Sequence, residues 1–384
     1  MGIEGTCDDR FAAVREAFEA NFLPREDTIY DEGASVAMTV DGELVVDLWS
    51  GTADRDAGPA LPWERDTIIN VWSTTKTVSA LACLILADQG ELDPYAPVAK
   101  VWPEFAAGGK GDIEIRHLLS HTAGLSGWQT PITTDDLYDW EKVTSLLAAQ
   151  EPWWEPGTAS GYHAVTQGYL EGEVLRRVTG QTIGEFVAKE ITGPLGLDFH
   201  LGTAAEHDAR IAHVVPPTTT LTADSVEEGS IAYRTLSNPA LDAAVSATIP
   251  WRRAEIPAAN GHGNARSVAL IHAPMACGGE ANGVRLLSPK GIEVVFDEQC
   301  NGDDLVLGMP LRHGIGFGLT SPATPISPNE RACFWGGWGG SLAIIDLDAR
   351  MTISYVMNKM GEGTVGDMRG AGLVLATYMA LGQL

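Results

Sequence analysis

A chain of 384 residues with 45% hydrophobic content can bury a substantial core, which excludes a disordered segment. Twenty-five basic against fifty-one acidic residues leave a formal charge of -26, which repels nucleic-acid phosphates and anionic membrane faces. The five cysteines (Cys7, Cys83, Cys277, Cys300, Cys333) are scattered and contain no C-x-x-C pair, so neither a disulfide framework nor a zinc ribbon is expected.

The first nine residues carry no basic start followed by an apolar run, and no later stretch holds about 18 uncharged apolar residues. A cytoplasmic location with no membrane partner is therefore expected. From Asp8 to Phe22, the spacing of Phe11, Val14, Phe18 and Phe22 predicts an amphipathic helix. Ser35–Thr39 and Glu43–Trp49 read as strands joined by Asp41-Gly42, a dipeptide suited to a tight turn. After Ile68-Ile69-Asn70-Val71, the Ala- and Leu-rich run from Ser73 to Gln89 predicts a helix stopped at Gly90.

From about Leu92 to Cys300, helical patterns such as Gln167–Val178 alternate with Pro- and Gly-rich connections. Strand patterns return at Gly314–Leu319, Ala332–Trp335, Leu342–Ile345 and Met351–Met357, and a helix from about Gly366 to Leu381 closes the chain. The expected fold class is α+β: an antiparallel sheet flanked by N- and C-terminal helices, with an inserted mainly helical region. The corresponding boundaries are 1–88 with 301–384 for the sheet domain and 89–300 for the helical one, the active site lying between them.

The sharpest chemical signal is Ser73-Thr74-Thr75-Lys76. Residues three apart on a helix share a face, which brings Oγ and Nζ within reach, and no other lysine has a serine three positions before it. A serine hydroxyl needs a base, and a lysine amine serves once burial and the positive end of a helix dipole lower its pKa. The alternative for these four residues is a capping serine followed by a surface lysine. A second signal is the turn-rich stretch Pro156 to Ala164, which delivers Tyr162; a phenol beside a cationic lysine is able to ionise and act as base, then as acid. The bland reading is a half-buried core tyrosine. The third is Trp335-Gly336-Gly337-Trp338-Gly339-Gly340-Ser341, where glycines on a strand let a carbonyl approach and expose N–H groups to an oxyanion, or simply mark a bulged edge.

Together, in this order, the three elements resemble the serine β-lactamase and penicillin-recognising superfamily, and most closely its class C-like esterases, the family VIII carboxylesterases. Ile115 to Leu125, Glu255 to Gly263 and Tyr355 to Asn358 carry the same resemblance, so it spans nearly the whole chain. It implies a β-lactamase/transpeptidase-like fold, Ser73 as the acylated nucleophile, and Lys76 and Tyr162 as its proton-handling partners. Trp335, Gly336 and Gly337 would occupy the substrate-binding strand position of the family's Lys-Thr-Gly, and the N–H groups of Ser73 and Trp338 would form the oxyanion hole. Two departures count against β-lactam recognition. His163-Ala164 follows Tyr162 where the Tyr-x-Asn motif has its asparagine, and Trp335 replaces the lysine that attracts a substrate carboxylate.

His117 and His121, four apart, lack the other ligands of a zinc protease, and the glycines around His262 fit turn geometry; neither a metal nor an organic cofactor is expected. The chain has no G-x-S-x-G and no dinucleotide fingerprint. Trp72, Trp128, Trp153, Trp154, Trp335 and Trp338 border the motifs, and some of them are expected to line an acyl pocket. The expected activity is hydrolysis of small-molecule carboxylic esters. A β-lactamase, D-amino-acid peptidase, amidase or acyltransferase of the same superfamily is the alternative enzyme, and a catalytically silent binding protein the alternative of another class.

Overall fold

The computed structural model describes residues 2–24, 28–219 and 222–383. Its main sheet runs in the order Glu4–Cys7, Glu43–Asp54, Gly33–Val40, Met351–Met357, Leu342–Asp346, Ala332–Gly336, Gly318–Leu319, Pro310–His313 and Cys300–Asp303, with every neighbour antiparallel. Leu61–Pro62 adds to Glu43–Asp54 at one side. The first and last parts of the chain meet in the middle of this sheet, where Val40 faces Met351 and Ala34 faces Met357. The Asp41-Gly42 turn has positive φ at both residues (51° and 84°), the conformation whose twist matches a two-residue hairpin.

The first helix spans Ala12–Ala20 after a short turn capped by Asp8, and buries Phe11, Val14 and Phe18 as their spacing predicts. It packs against the last helix, Met368–Ala380, whose N-terminus is capped by Asp367. A further helix, Ala265–Ala276, packs on the paired Gly33–Val40 and Met351–Met357 strands. That packing is why these strands are buried almost along their whole length rather than on alternate residues. The buried ion pair of Arg369 with Asp31 (2.7 Å), which also binds the Tyr355 hydroxyl (2.6 Å), fastens the last helix to the sheet.

Along the chain, between the strands of the two halves, come the helices Thr75–Asp88, Trp140–Ala149 and Thr166–Thr179 with many short turns, and a small three-stranded sheet of Ile69–Asn70, His262–Gly263 and Phe199–His200. One expected strand is shorter than its pattern. Only Gly318–Leu319 of Gly314–Leu319 pairs, because Gly314 to Phe317 form a turn closed by the Gly314 N–H on the Phe317 carbonyl (2.9 Å), with Gly316 at φ 86°. Two strands without alternating apolar residues, Cys300–Asp303 and Pro310–His313, complete that edge. Among the described residues no helix is long and apolar enough to cross a membrane.

Candidate active site

The helix that carries Ser73 begins with a single tight turn, Trp72–Thr74, before Thr75–Asp88 continues as α-helix. Trp72 holds φ 49°, left-handed backbone that a bulky residue adopts only when packing imposes it. The packing is visible: its buried indole lies 4.9 Å from Trp338 and 5.7 Å from Trp251 by ring centroids, and Trp251 is itself anchored on Asn70 (2.9 Å). The Val71 N–H binds the Gly261 carbonyl (2.8 Å), and the Gly261 N–H binds Thr75 Oγ1 (2.9 Å). The Asn260-Gly261-His262-Gly263 loop is thus a structural brace for this turn. His262 is buried, bonded to the Asn260 carbonyl and pushed down to about 3 by burial.

Ser73 Oγ is the point where two side chains converge. Lys76 Nζ lies 3.1 Å from it and the Tyr162 hydroxyl 2.5 Å from it. Lys76 also donates to the carbonyls of Ala164 (2.7 Å) and Ala258 (2.8 Å), and its Nζ sits 4.8 Å from the Tyr162 ring centroid. Complete burial lowers the Lys76 pKa well below the usual lysine range, with the nearby Glu171 pulling the other way. Burial pushes the Tyr162 phenol up to about 12. This direction is opposite to the phenolate expected beside a cationic lysine, because removing both groups from water penalises both charges.

Tyr162 comes from the loop that follows Gly161, where a Cβ would stand 2.5 Å from the Trp154 ring. Behind the phenol, His121, His163, His313 and Trp335 form a buried cluster with centroid spacings of 5.1 to 5.6 Å. His121 Nδ1 accepts the His163 N–H (3.1 Å), and His163 Nε2 accepts the Leu125 N–H (3.1 Å). His117 instead closes the first turn of Ile115–Leu119 by accepting the Glu114 N–H (3.2 Å), so His117 and His121 face different neighbours. The one described trio of potential metal-binding side chains, Asp54, Asp56 and His213, lies elsewhere.

The glycine loop abuts the Ser73 turn. A Cβ on Gly337 would overlap Ser341 Oγ, lie 2.6 Å from the Val71 carbonyl oxygen and 3.2 Å from the Ser73 nitrogen. Gly336 likewise passes against the backbone of Val365 and Gly366. Trp335, in contrast, points into the buried cluster with 2% of its surface exposed. Half-buried Ala164, Ile231, Leu307, Met309 and Val365 pack against the buried cluster of Tyr162, Val306, Leu311 and Trp335. Sequence reasoning missed these residues, since they come from separate connections, and it missed Glu171, a buried acid on the helix Thr166–Thr179.

A buried serine hydrogen-bonded to lysine and tyrosine, on a helix packed against an antiparallel sheet, is an arrangement that fits the penicillin-recognising serine enzymes. The chain belongs to the Beta-lactamase family, whose sequence pattern matches residues 26–377. It is 34% identical over 367 residues to the esterase/beta-lactamase LipL of Mycobacterium tuberculosis, covering 93% of this chain and 83% of LipL. A solved family VIII carboxylesterase shares 42% identity with a TM-score of 0.91, covering 99% of this chain and 100% of that one. A penicillin-binding protein homologue from Caulobacter crescentus shares 39% with a TM-score of 0.90 and the same coverage.

Proposed function

We propose that the protein is a serine carboxylesterase that cleaves small, neutral esters through a Ser73 acyl-enzyme. The observation that carries this reading is the convergence of Lys76 Nζ and the Tyr162 hydroxyl on Ser73 Oγ. A neutral Lys76 gives its two hydrogens to the Ala164 and Ala258 carbonyls and turns its lone pair to Ser73, the arrangement of a base. Lys76 takes the Ser73 proton as Oγ attacks the ester carbonyl. Tyr162, neutral and a donor, hands its proton to the departing alcohol and is reprotonated by Lys76. Water then attacks the acyl-enzyme by the same proton path in reverse.

The N–H groups of Ser73 and Trp338 serve as the oxyanion hole, supported by the fit of Gly337 against the Ser73 nitrogen and of Trp338 on Trp72. The Gly336-Gly337 backbone flanks the substrate, while the Trp335 indole backs Tyr162. The apolar surround of Ala164, Ile231, Leu307, Met309 and Val365, in a chain of charge -26, favours neutral apolar esters over anionic β-lactams. In domain terms the site belongs to the junction between 1–88 with 301–384 and the inserted 89–300.

The test is turnover of a p-nitrophenyl ester series beside a chromogenic cephalosporin by wild type, Ser73→Ala and Tyr162→Phe, with the acyl-enzyme followed by intact mass. Ester cleavage lost in both variants supports the assignment. Faster cephalosporin cleavage than ester cleavage moves it to a β-lactamase, and wild type with neither turnover nor a Ser73 adduct leaves a binding protein.

A further inference from the structure

Asp304 is 2% exposed and lies just past the edge strand Cys300–Asp303, 142 residues from Tyr162 in the chain. One of its oxygens, Oδ1, accepts three backbone N–H groups: Tyr162 (3.0 Å), Val306 (2.9 Å) and Leu307 (2.9 Å). The same loop is tied to the tyrosine loop a second time, by the Leu305 N–H on the Ser160 carbonyl (2.9 Å). Its other oxygen, Oδ2, is buried without a hydrogen-bond partner, which is costly unless the carboxylate has a task that repays it.

We infer that Asp304 is a positioning residue for catalysis, a carboxylate clamp that fixes the backbone of Tyr162 so that its hydroxyl meets Ser73 Oγ. The inference rests on the proton-handling role proposed for Tyr162. A clamp on the main-chain nitrogen of the reacting residue sets where its side chain starts, and small displacements of a reacting group cost large factors in rate. The charge has a second effect. Burial is the main cause that keeps the Tyr162 phenol protonated, and the nearby Asp304 carboxylate adds to it in the same direction by opposing a second negative charge. The other ionisable groups around Tyr162 are Lys76 over its ring, His121 from the segment after Ile115–Leu119 against the ring, His163 next to it in its own loop, and His313 from Pro310–His313, which packs on His121 and Trp335. Burial keeps all three histidines neutral at neutral pH, and Lys76 meets both Ser73 Oγ and the face of the Tyr162 ring.

Asp304→Ala frees three N–H groups, and kcat for a p-nitrophenyl ester is expected to fall about 10- to 100-fold with KM changed by less than about 3-fold. Asp304→Asn retains an oxygen for those N–H groups and removes the charge. It is expected to lose far less kcat than the alanine variant, but to lose kcat/KM at an alkaline pH where wild type retains it, because Tyr162 then ionises more readily. An alanine variant within about 2-fold of wild type overturns the inference. So does an asparagine variant whose alkaline profile superimposes on wild type, the outcome for a purely structural carboxylate; should the alanine variant fail to fold, this profile decides alone. Full turnover by Tyr162→Phe refutes the role of Tyr162 and the inference with it, whereas an inactive Tyr162→Phe beside an unmoved Asp304→Asn profile refutes Asp304 only.

Discussion

The hydroxyls of Thr74 and Ser341 meet at 3.0 Å across 267 residues of sequence, joining the nucleophile turn to the glycine loop. Ser341 gives its hydrogen to the Val71 carbonyl (2.8 Å), which leaves Thr74 as the donor of the pair. Ser341→Ala therefore takes the partner of the buried Thr74 hydroxyl and leaves the Val71 carbonyl with only the Thr74 N–H at 3.3 Å. The expected loss is about 1–3 kcal/mol in urea unfolding, together with slower labelling of Ser73 by a fluorophosphonate. An unchanged unfolding midpoint would show that the bridge carries no stability.

Gly337→Ala tests the fit of the same loop. Its Cβ has no room between Ser341 and the Val71 carbonyl, so the loop must shift away from Ser73, and at least about a 100-fold loss of acylation rate is expected. Gly111→Ala is the control, since a Cβ there meets nothing within 4 Å. Equal activity in the two variants would mean that the loop tolerates displacement.

The lowered Lys76 pKa fixes the direction of the pH–rate profile. Activity is expected to be full at mildly alkaline pH and to fall as pH drops and Lys76 acquires a proton. Lys76→Met should abolish Ser73 acylation at every pH. A profile in which kcat/KM rises toward acid would contradict Lys76 as the base.

The buried histidines predict acid lability. His163 and His313 are held down at about 4 by burial, against an ordinary value near 6.5. Between those values the unfolded chain binds more protons than the folded one, so stability falls as pH drops from about 6.5 toward 4. Thermal melts at steps through that range check it, and His313→Phe should flatten the slope.

Glu171 has the opposite sign. Both its oxygens are buried without partners, and burial raises its pKa well above the carboxylate range. A raised value makes its stability contribution complete at acid pH and lost as pH climbs through the folded pKa. Glu171→Gln should match wild type in stability near pH 4 and exceed it increasingly above that. A constant difference across pH would show that the Glu171 carboxyl ionises alike in both states.

Ser73, Lys76 and the Asp41-Gly42 hairpin were legible because their spacing acts locally: three residues along one helix, two residues in one turn. Tyr162 was legible as a residue in a turn-rich loop, though the direction of its pKa was not, since burial depends on Trp335, His121 and His313 arriving from other segments. The same limit hid Asp304. A lone aspartate in a loop gives no sign that it will accept N–H groups from a segment 142 residues earlier. Cys300–Asp303 and Pro310–His313 escaped notice because an edge strand with polar residues lacks the alternation that a half-buried strand shows.

Gly33 donates its N–H to Asn358 Oδ1 at 2.9 Å, a contact spanning 325 residues, within the central pairing of the sheet. During synthesis at about 5–20 residues per second, the strands Gly33–Val40 and Glu43–Asp54 therefore leave the ribosome long before Met351–Met357 exists. The nascent chain must carry an open, apolar strand edge for much of its translation, a template for pairing with other chains. Recovery of active protein should thus be governed by the wait for the last strands, and slower growth temperature or a chaperone that shields that edge is the lever for yield.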